Sequence, residues 1–335
     1  MTIAVFVENR PFFGALLVHA PFLHALRERH PGARLVLFSP FAEAEMLVRL
    51  GLADHVRLYG RDVAAIARAL REEGASAVYS LRPFSSRIDL AVGLSGVTER
   101  VGYRSPLGRL LFSRAVPHDT SIYRPRKYLA LLRGGPSRAA RWCPARRAPL
   151  DRWFRTLLSN ASVPERERVI GVLPGGGAGA FKLWGIDNFL AACARLAERD
   201  PDLRFAFVLG RAEADMRERI EASSVARRSV CLIDEPVGAL ARVAFGALAA
   251  MGNDCGPGHL FQMCGCPYVC VMSDHDGAGP TRIAEWVDEP NRAFAVTPAT
   301  GADIRTIPAA RVAERVGRAA TARDRKGATV SPGSS

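Results

Sequence analysis

The 335-residue sequence lacks several features that would assign it to a special class of protein. It contains no run of about 18 consecutive apolar residues, so it predicts no transmembrane helix. The N-terminus, MTIAVFVENRPFF, has neither a basic region nor a cleavage site and does not resemble a signal peptide. No internal repeat or heptad pattern is present. The rest is an ordinary globular composition, 48% hydrophobic and 24% charged, with a length that favours two domains.

Cysteine usage indicates a reducing compartment. The seven cysteines are an odd number, and most of them lie inside apolar runs, as is typical of reduced thiols in a cytoplasmic protein. Cys264, Cys266 and Cys270 lie close together, but no second ligand cluster follows at zinc spacing. Buried core thiols are therefore favoured over a metal site. Neither a metal nor a cofactor is predicted, and the expected location is the cytoplasm or the cytoplasmic face of the inner membrane.

Positive charge is concentrated in the first half of the chain. The net charge is +13; residues 1–160 carry 25 Lys and Arg against 12 Asp and Glu, whereas residues 161–335 carry 21 of each. Such a field favours an anionic partner: a phosphorylated glycolipid, an acidic membrane surface or a nucleic acid. A genome that prefers Arg codons would explain Arg over Lys, but not the difference between the halves. Nucleic acid is the least favoured partner because no recognition module is present.

Short apolar runs alternate with helix-length segments in both halves, which is typical of parallel βαβ units. The predicted strands include 3–7, 35–39, 77–80, 168–174, 204–210, 229–233 and 267–273. A helix is predicted from about 14 to 29, and a loop or linker, with a short helix at DRWFRTLLSN, from about 133 to 168. The resulting fold class is α/β, with doubly wound domains at 1–160 and 161–320 and a disordered tail at 321–335.

Ligands of open α/β sheets bind beyond the carboxyl ends of the strands, so segments that follow strands are informative. LPGGGAGAFKLWGIDNF (173–189) joins a predicted strand to a helix. Its glycines would let the backbone approach a phosphate, and Lys182 would add a positive charge against a diphosphate. The spacing fits neither a Walker A loop nor G-x-G-x-x-G, and a plain tight turn remains an alternative.

A second segment, MGNDCGPGHLFQMCGCP (251–267), also joins a predicted strand to a helix. Glycine N–H groups in this turn could hold a phosphate, and Asp254 could accept hydrogen bonds from hydroxyls. The alternative is that Asp254 only caps the helix and that His259 is a surface residue.

The two segments together resemble glycosyltransferase family 9, the lipopolysaccharide heptosyltransferases. LPGG followed by Lys182 and Trp184, and then GNDCGPGHL, carry the most specific part of the resemblance. Weaker similarity extends over HAPFLHALRERHPGARLVLFSP, ERVGYRSPLGRLLFSRAVP, YRPRKYLALL and FVLGRAEAD, hence over nearly the whole chain. The resemblance implies a GT-B architecture, with two Rossmann-like domains facing across a cleft: an N-terminal domain for the acceptor and a C-terminal domain for the donor.

The resemblance also implies an inverting, metal-independent transfer of a heptose-type sugar from an ADP-sugar to a lipopolysaccharide core or related anionic glycan. The protein must neutralise the leaving diphosphate and remove the acceptor's proton. Lys182 is assigned to the first task. The predicted donor-binding residues are Gly175, Gly176, Lys182, Trp184, Gly210, Asp234 (or Glu235), Asp254, Cys255, Gly256, Pro257, Gly258 and His259.

The expected general base is missing. The family reads Gly-Asp before its first helix, and alignment on Gly14 and Pro21 places Ala15 at that position. Glu8, at the end of the first strand, is the nearest replacement, with His19 and Asp119 as weaker candidates. Leu173 likewise replaces the family's usual His. The predicted acceptor-binding residues are Gly14, Arg82, Arg87, Arg104, Arg124 and Lys127, with Arg100 and Arg126 as further candidates.

Because Ala15 removes the family's base, two alternatives stay open. The same donor could serve a small-molecule acceptor of secondary metabolism that needs little base assistance. The protein could also bind a nucleotide sugar without catalysis.

Overall fold

The computed structural model describes residues 1–8, 10–132, 168–176, 179–288 and 293–328. The chain divides into two compact units, Met1–Trp142 and Cys143–Ser335. The sequence placed this boundary between residues 160 and 161. Both positions, the predicted linker and the short helix at DRWFRTLLSN fall at 133–167, outside the described residues.

The first unit, unit 1, is built on a six-stranded parallel sheet. Its strands are β1 Thr2–Phe6, β2 Arg34–Ser39, β3 His55–Leu58, β4 Ala75–Ser80, β5 Glu99–Tyr103 and β6 Arg114–Val116, in the spatial order β3-β2-β1-β4-β5-β6. Its helices are α1 Phe13–Leu17, α2 Ala20–Arg29, α3 Glu45–Arg49, α4 Val63–Glu72, α5 Ser86–Leu94, α6 Gly108–Leu111 and α7 Arg124–Leu129, with a 3-10 turn at Ala42–Ala44. The central strands are apolar on both faces because helices cover both faces of a parallel sheet.

The second unit, unit 2, repeats this architecture. Its strands are β7 Val169–Leu173, β8 Arg204–Leu209, β9 Ser229–Ile233, β10 Ala249–Asn253, β11 Tyr268–Val271 and β12 Ala293–Val296, in the spatial order β12-β11-β10-β7-β8-β9. Its helices are α8 Ile186–Arg199, α9 Met216–Glu221, α10 Val237–Gly246, α11 Gly256–Met263, α12 Gly279–Trp286 and α13 Ala309–Ala328. The 3-10 turns are Ala180–Lys182, Arg211–Glu213, Ala226–Arg228 and Ile304–Thr306. The predicted pair of doubly wound α/β sheets is confirmed.

Both sheets have a topological switch point. In unit 2 the chain moves outward from β7 through β8 to β9, then returns to β10 on the other side of β7 and continues through β11 to β12. The loops after β7 and β10 therefore diverge from neighbouring strand ends, and such a crevice is where open α/β sheets bind ligands. The two glycine-containing segments of the sequence are these two loops.

Two predicted elements are wrong in their extent. The helix expected over about 14–29 is interrupted between α1 and α2, because Pro21, in the first turn of α2, cannot donate a hydrogen bond to the preceding turn. The tail expected to be disordered from residue 321 instead continues α13 to Ala328. Alanine, arginine and lysine are good helix formers, and they make up five of the eight residues 321–328. Residues 329–335 lie outside the described part.

Candidate functional site

The turns after β7 and β10 are held together by a buried amide. Asn253, the last residue of β10, donates from Nδ2 to the carbonyl oxygen of Pro174 at 2.6 Å and accepts from the backbone N–H of Trp184 at 3.1 Å. Because β10 pairs in parallel with β7, the two turns leave the sheet at the same edge. Asn253 therefore fixes the glycine turn against the turn that contains Asp254.

The predicted convergence of Lys182 and Asp254 is confirmed. The Lys182 ammonium Nζ lies 2.6 Å from Oδ2 of Asp254. The side chains are 23% and 12% exposed, so the pair is at the surface but partly shielded from water. Asp254 is not the N-cap of α11, because Cys255 occupies that position. A cation and an anion therefore face each other at the switch point.

Glu213 is a site residue that the sequence analysis did not single out. Its Oε2 accepts the backbone N–H of Gly210 at 2.9 Å. A Cβ atom on Gly175 would lie 2.8 Å from the Glu213 carboxylate, and one on Gly210 would lie 2.7 Å from it. The carboxylate thus sits between the turns after β7 and β8, close to the backbone of Gly175 and Gly210. Its only sequence signal was the acidic segment FVLGRAEAD.

Trp184 is a correction to the predicted donor contacts. Its side chain is fully buried, packs edge-on against Phe189 and donates from Nε1 to the carbonyl oxygen of Ile307 at 3.0 Å. A ligand therefore has no access to this indole. The residue instead anchors the glycine turn to the core of unit 2.

The residues at the start of α11 form a support beneath the turn. A Cβ on Gly258 would lie 2.6 Å from Oη of Tyr268, and this hydroxyl donates to the carbonyl oxygen of Asn253 at 2.7 Å. Cys255 is buried, and burial raises the pKa of its thiol to about 12. His259 is also buried, with its ring 5.1 Å from that of Trp286, so the interpretation of His259 as a surface residue is wrong. Gly256 and Pro257 open the helix at the same edge.

Asp234 follows β9 at the same edge of the sheet. It adopts a left-handed backbone conformation with φ of 53°, which is uncommon for a residue other than glycine. Its carboxylate lies 2.5 Å from Nε of Arg211, and both side chains are well exposed. Gly210 and Asp234 therefore lie on the β8–β9 side of the Lys182–Asp254 pair, whereas β11 lies on the other side.

In unit 1 Glu8 belongs to a largely buried network at the end of β1. One carboxylate oxygen forms an ion pair with Arg124 of α7, and the other accepts the hydroxyl of Tyr128 at 2.6 Å. Both side chains of the ion pair are mostly buried. Because both oxygens are already bonded within unit 1, the geometry favours a structural role for Glu8, tying α7 to β1, over the predicted role of general base.

The two weaker candidates for the base are differently placed. His19 is fully buried and donates from Nδ1 to the carbonyl oxygen of Leu16 at 2.9 Å, while Nε2 accepts the backbone N–H of Glu8 at 3.3 Å. Its ring stacks on Tyr128. An acceptor substrate cannot reach this imidazole, so His19 is excluded as the base. Asp119 is exposed and accepts hydrogen bonds from Ser121.

The predicted acceptor-binding residues differ in how exposed their side chains are. Arg87 and Arg104 are exposed, and Arg82 is half-buried with its guanidinium 2.7 Å from the Tyr59 hydroxyl. Gly14, beside Ala15 in α1, and Arg124 and Lys127 in α7 are buried, so they are not exposed for an acceptor. Arg100 has a structural role, because its guanidinium donates to the backbone carbonyls of Val97 and Leu111.

Acid should destabilise unit 1 through His19. Burial lowers the pKa of this imidazole from 6.5 to about 4. Between pH 6.5 and 4 the unfolded chain therefore binds a proton at this residue that the folded chain does not bind. The free energy of unfolding should fall by about 3 kcal/mol as the pH decreases from above 6.5 towards 4. Unfolding free energies measured from pH 7 to 4 should show this slope. His19→Gln should flatten it, whereas His24→Gln, which alters a more exposed imidazole, should not. Equal slopes in all three proteins would contradict the assignment.

The described residues were also compared with the requirements of a metal site and of a membrane span. Among the described residues, no three His, Cys, Asp or Glu side chains are grouped as ligands for a metal ion. Within the same residues, no helix is both long and apolar enough to cross a bilayer. Cys266 and Cys270 are buried in unit 2, as the sequence predicted, whereas Cys264 is only half-buried.

Comparison with solved structures defines the class of fold. The chain is similar to a glycosyl transferase family 9 protein from Veillonella parvula, with 15% identity, a TM-score of 0.69 and coverage of 96% of this chain and 97% of that chain. It is similar to the Escherichia coli heptosyltransferase WaaC with ADP, with 16% identity, a TM-score of 0.66 and coverage of 95% and 100%. A UDP-GlcNAc 2-epimerase from Methanocaldococcus jannaschii is more distant, with 10% identity, a TM-score of 0.52 and coverage of 96% and 92%.

The fold is that of the GT-B proteins, and both units contribute to the likeness because nearly the whole chain is covered. Within that class, the predicted resemblance to glycosyltransferase family 9 is confirmed at the level of the fold. No family model matches the sequence, and no curated protein matches it.

Proposed function

We propose that the protein is a glycosyltransferase that takes its sugar from a nucleoside diphosphate sugar bound by unit 2. The observation that carries this proposal is the Lys182–Asp254 pair at the switch point of the second sheet, beside a glycine turn. A GT-B fold is shared with an epimerase of nucleotide sugars, so the fold alone does not assign transfer. The K-x-W and G-N-D-C-G-P-G-H-L segments favour the transferase.

The chain's own residues suggest a division of labour along this edge. Lys182 would neutralise the charge that develops on the leaving diphosphate, which is the largest electrostatic demand of the reaction and needs no metal in this scheme. Asp254 would exchange its ion pair with Lys182 for hydrogen bonds from sugar hydroxyls. Glu213, between Gly175 and Gly210, is suitably placed to accept from ribose hydroxyls. Asp234, after β9, lies further out on the same side, where it would accept hydrogen bonds from the ribose or the nucleobase.

We assign an ADP-sugar of the heptose type as the donor, with inversion at the anomeric carbon. This assignment is supported by the family motifs and by the similarity to WaaC, whose structure contains ADP. The acceptor is proposed to be an anionic glycan, because the excess of Lys and Arg over Asp and Glu lies in residues 1–160. A small-molecule acceptor and a non-catalytic binding protein remain the two rivals.

Calorimetric titration with ADP-, UDP- and GDP-sugars tests the donor. The ADP-sugar should bind best, and absence of saturable binding by all three would eliminate the proposal. Incubation with donor and candidate acceptors, with mass detection of products, separates the rivals. Donor binding without transfer to an anionic glycan or a small molecule would favour the non-catalytic protein.

We further propose that unit 1 rests on an anionic membrane surface through a basic apolar patch on α5 and α6. The patch contains Leu90, Leu94 and Leu110; exposed Arg87 and Arg109 lie on the same two helices, and exposed Arg71 lies beside α5. Leu94 is 64% exposed and Leu110 79% exposed. The helices pack closely, since a Cβ on Gly93 would lie 2.7 Å from Leu111, and Arg71 donates to the carbonyl oxygen of Leu94.

Both the charge and the apolar surface of this patch favour an anionic membrane as its partner. In the part of the chain that the structure describes, no carboxylate forms a salt bridge with the arginines of the patch. Each arginine near an anionic leaflet contributes about 1 kcal/mol to binding, and exposed leucines add insertion into the headgroup boundary.

Flotation with vesicles measures this interaction. The protein should float with phosphatidylglycerol vesicles at low salt and not with phosphatidylcholine vesicles. The double substitution Leu94→Ser and Leu110→Ser should weaken flotation about tenfold or more, since each leucine buries apolar area. Leu58→Ser, on β3 at the opposite edge of the same sheet and 55% exposed, is the matched control and should float normally. Equal flotation of the double variant and wild type would eliminate the patch as the contact.

A further inference from the structure

An exposed aromatic pair stands next to the Lys182–Asp254 pair in unit 2. Phe181 precedes Lys182 in the 3-10 turn Ala180–Lys182 and is 43% exposed. Its ring centroid lies 4.3 Å from that of His275, in the loop that follows β11. The two rings therefore bridge the turn after β7 and the turn after β11, on the outer side of the ion pair.

Local backbone conformation holds Phe181 in this position. Gly179 has φ of 119°, and a Cβ there would lie 2.9 Å from the Phe181 ring. The ring thus covers the glycine backbone on one side and meets His275 on another. His275 is itself held by its Nδ1, 3.2 Å from the hydroxyl of Ser273. Contacts with two separate turns, the one after β7 and the one after β11, thus position the ring.

The strand order assigns this surface to one end of the donor. Glu213, Gly210 and Asp234 lie at the ends of β8 and β9, on one side of the diphosphate site at β7 and β10. His275 follows β11, on the other side. A nucleoside diphosphate sugar laid along this edge, with its ribose at Glu213 and its diphosphate at Lys182, would extend its sugar towards Phe181.

We infer that Phe181, supported by His275, is a specificity-determining residue that packs against the apolar C–H face of the transferred sugar ring. This inference rests on the proposed function, and it deepens that function by assigning the sugar to the β11 side of the site. Aromatic faces carry partial negative charge and attract the weakly positive C–H groups of a ring, while Asp254 accepts hydroxyl hydrogens from the other side. The nucleoside and diphosphate would not touch the ring.

Titration calorimetry of Phe181→Ala with two ligands, an ADP-sugar and ADP itself, tests the assignment. The variant should bind the ADP-sugar about three- to tenfold more weakly than wild type does, and should bind ADP equally well. Phe181→Tyr should restore the affinity for the ADP-sugar, because it keeps the ring. Phe245→Ala, which removes a ring on α10 that is 44% exposed, is the matched control and should change neither affinity.

The other outcomes overturn the inference in distinguishable ways. Equal weakening of both ligands would place the ring on the nucleotide, and unchanged affinity for both would remove it from the site. If wild type binds ADP but discriminates against every sugar-bearing form, the sugar assignment fails while nucleotide binding stands. If wild type binds neither ligand, the proposed function itself fails.

Discussion

Lys182→Ala should reduce kcat/KM for sugar transfer by about 10²- to 10³-fold, the effect expected when one preorganised donor to a developing anion is removed. The physical reason is the position of the ammonium at the switch point, 2.6 Å from the carboxylate of Asp254, where in the wild-type protein it would contact the diphosphate. The variant also leaves Asp254 as a lone carboxylate that repels the ligand. Affinity for ADP should therefore fall as well, and steady-state kinetics combined with calorimetry would measure both effects.

Arg318→Ala is the matched control for this substitution. It removes one positive charge from unit 2, but from an exposed ion pair with Glu314 on α13. Transfer and ADP binding should remain at the wild-type level, since surface ion pairs contribute little. Equal losses in the two variants would show that total charge, rather than the position of Lys182, controls binding. Full activity of Lys182→Ala would remove this residue from the mechanism.

Glu8→Gln should destabilise unit 1 by about 3–5 kcal/mol, because it breaks a largely buried ion pair with the guanidinium of Arg124. The Tyr128 hydroxyl would also lose a charged acceptor. Hydrogen exchange measured by mass spectrometry on peptides covering β1 and α7 would report the local free energy. Both elements should lose protection together, since Glu8 joins them.

Two further variants test whether the effect of Glu8→Gln arises from a buried charge or from the loss of a catalytic base. The double substitution Glu8→Gln and Arg124→Met removes both charges and should recover much of the lost stability. Glu72→Gln breaks the exposed pair with Arg57 in the same unit and should cost about 0–1 kcal/mol. If Glu8→Gln instead keeps normal protection but loses turnover, Glu8 is the general base and the structural role is wrong.

The sequence predicted those features that depend only on neighbouring residues, namely the buried strands and the turns that follow them. Buried strands such as IAVFV and RFAFVLG read as apolar runs because a parallel sheet covered on both faces needs no alternation. The sites of the glycine turns could be located for the same reason, since each follows such a run. Convergence of Lys182 with Asp254 could be predicted because βαβ topology brings the carboxyl ends of parallel strands to one edge.

The errors arose where long-range packing decides a residue's role. Nothing in the sequence near Trp184 indicates that its indole reaches Ile307, a contact across 123 positions. The sequence predicts Glu8 as the general base and gives no sign of its buried network, because its partners Arg124 and Tyr128 lie 116 and 120 positions away in the chain. Glu213 was overlooked because an acidic residue in a helical pattern usually indicates only a solvated face. In each case the burial of one side chain depended on a distant element.

The buried amide of Asn253 has an evolutionary consequence. One side chain joins the carbonyl of Pro174 to the N–H of Trp184, so the turn after β7 cannot shift without disturbing the turn after β10. An insertion or deletion in one turn would leave a buried hydrogen-bonding group without its partner unless the other turn changes as well. The two turns are thus expected to drift in concert among descendants of this sequence, and new donor preferences would arise more readily from the outer loops, which this amide does not constrain.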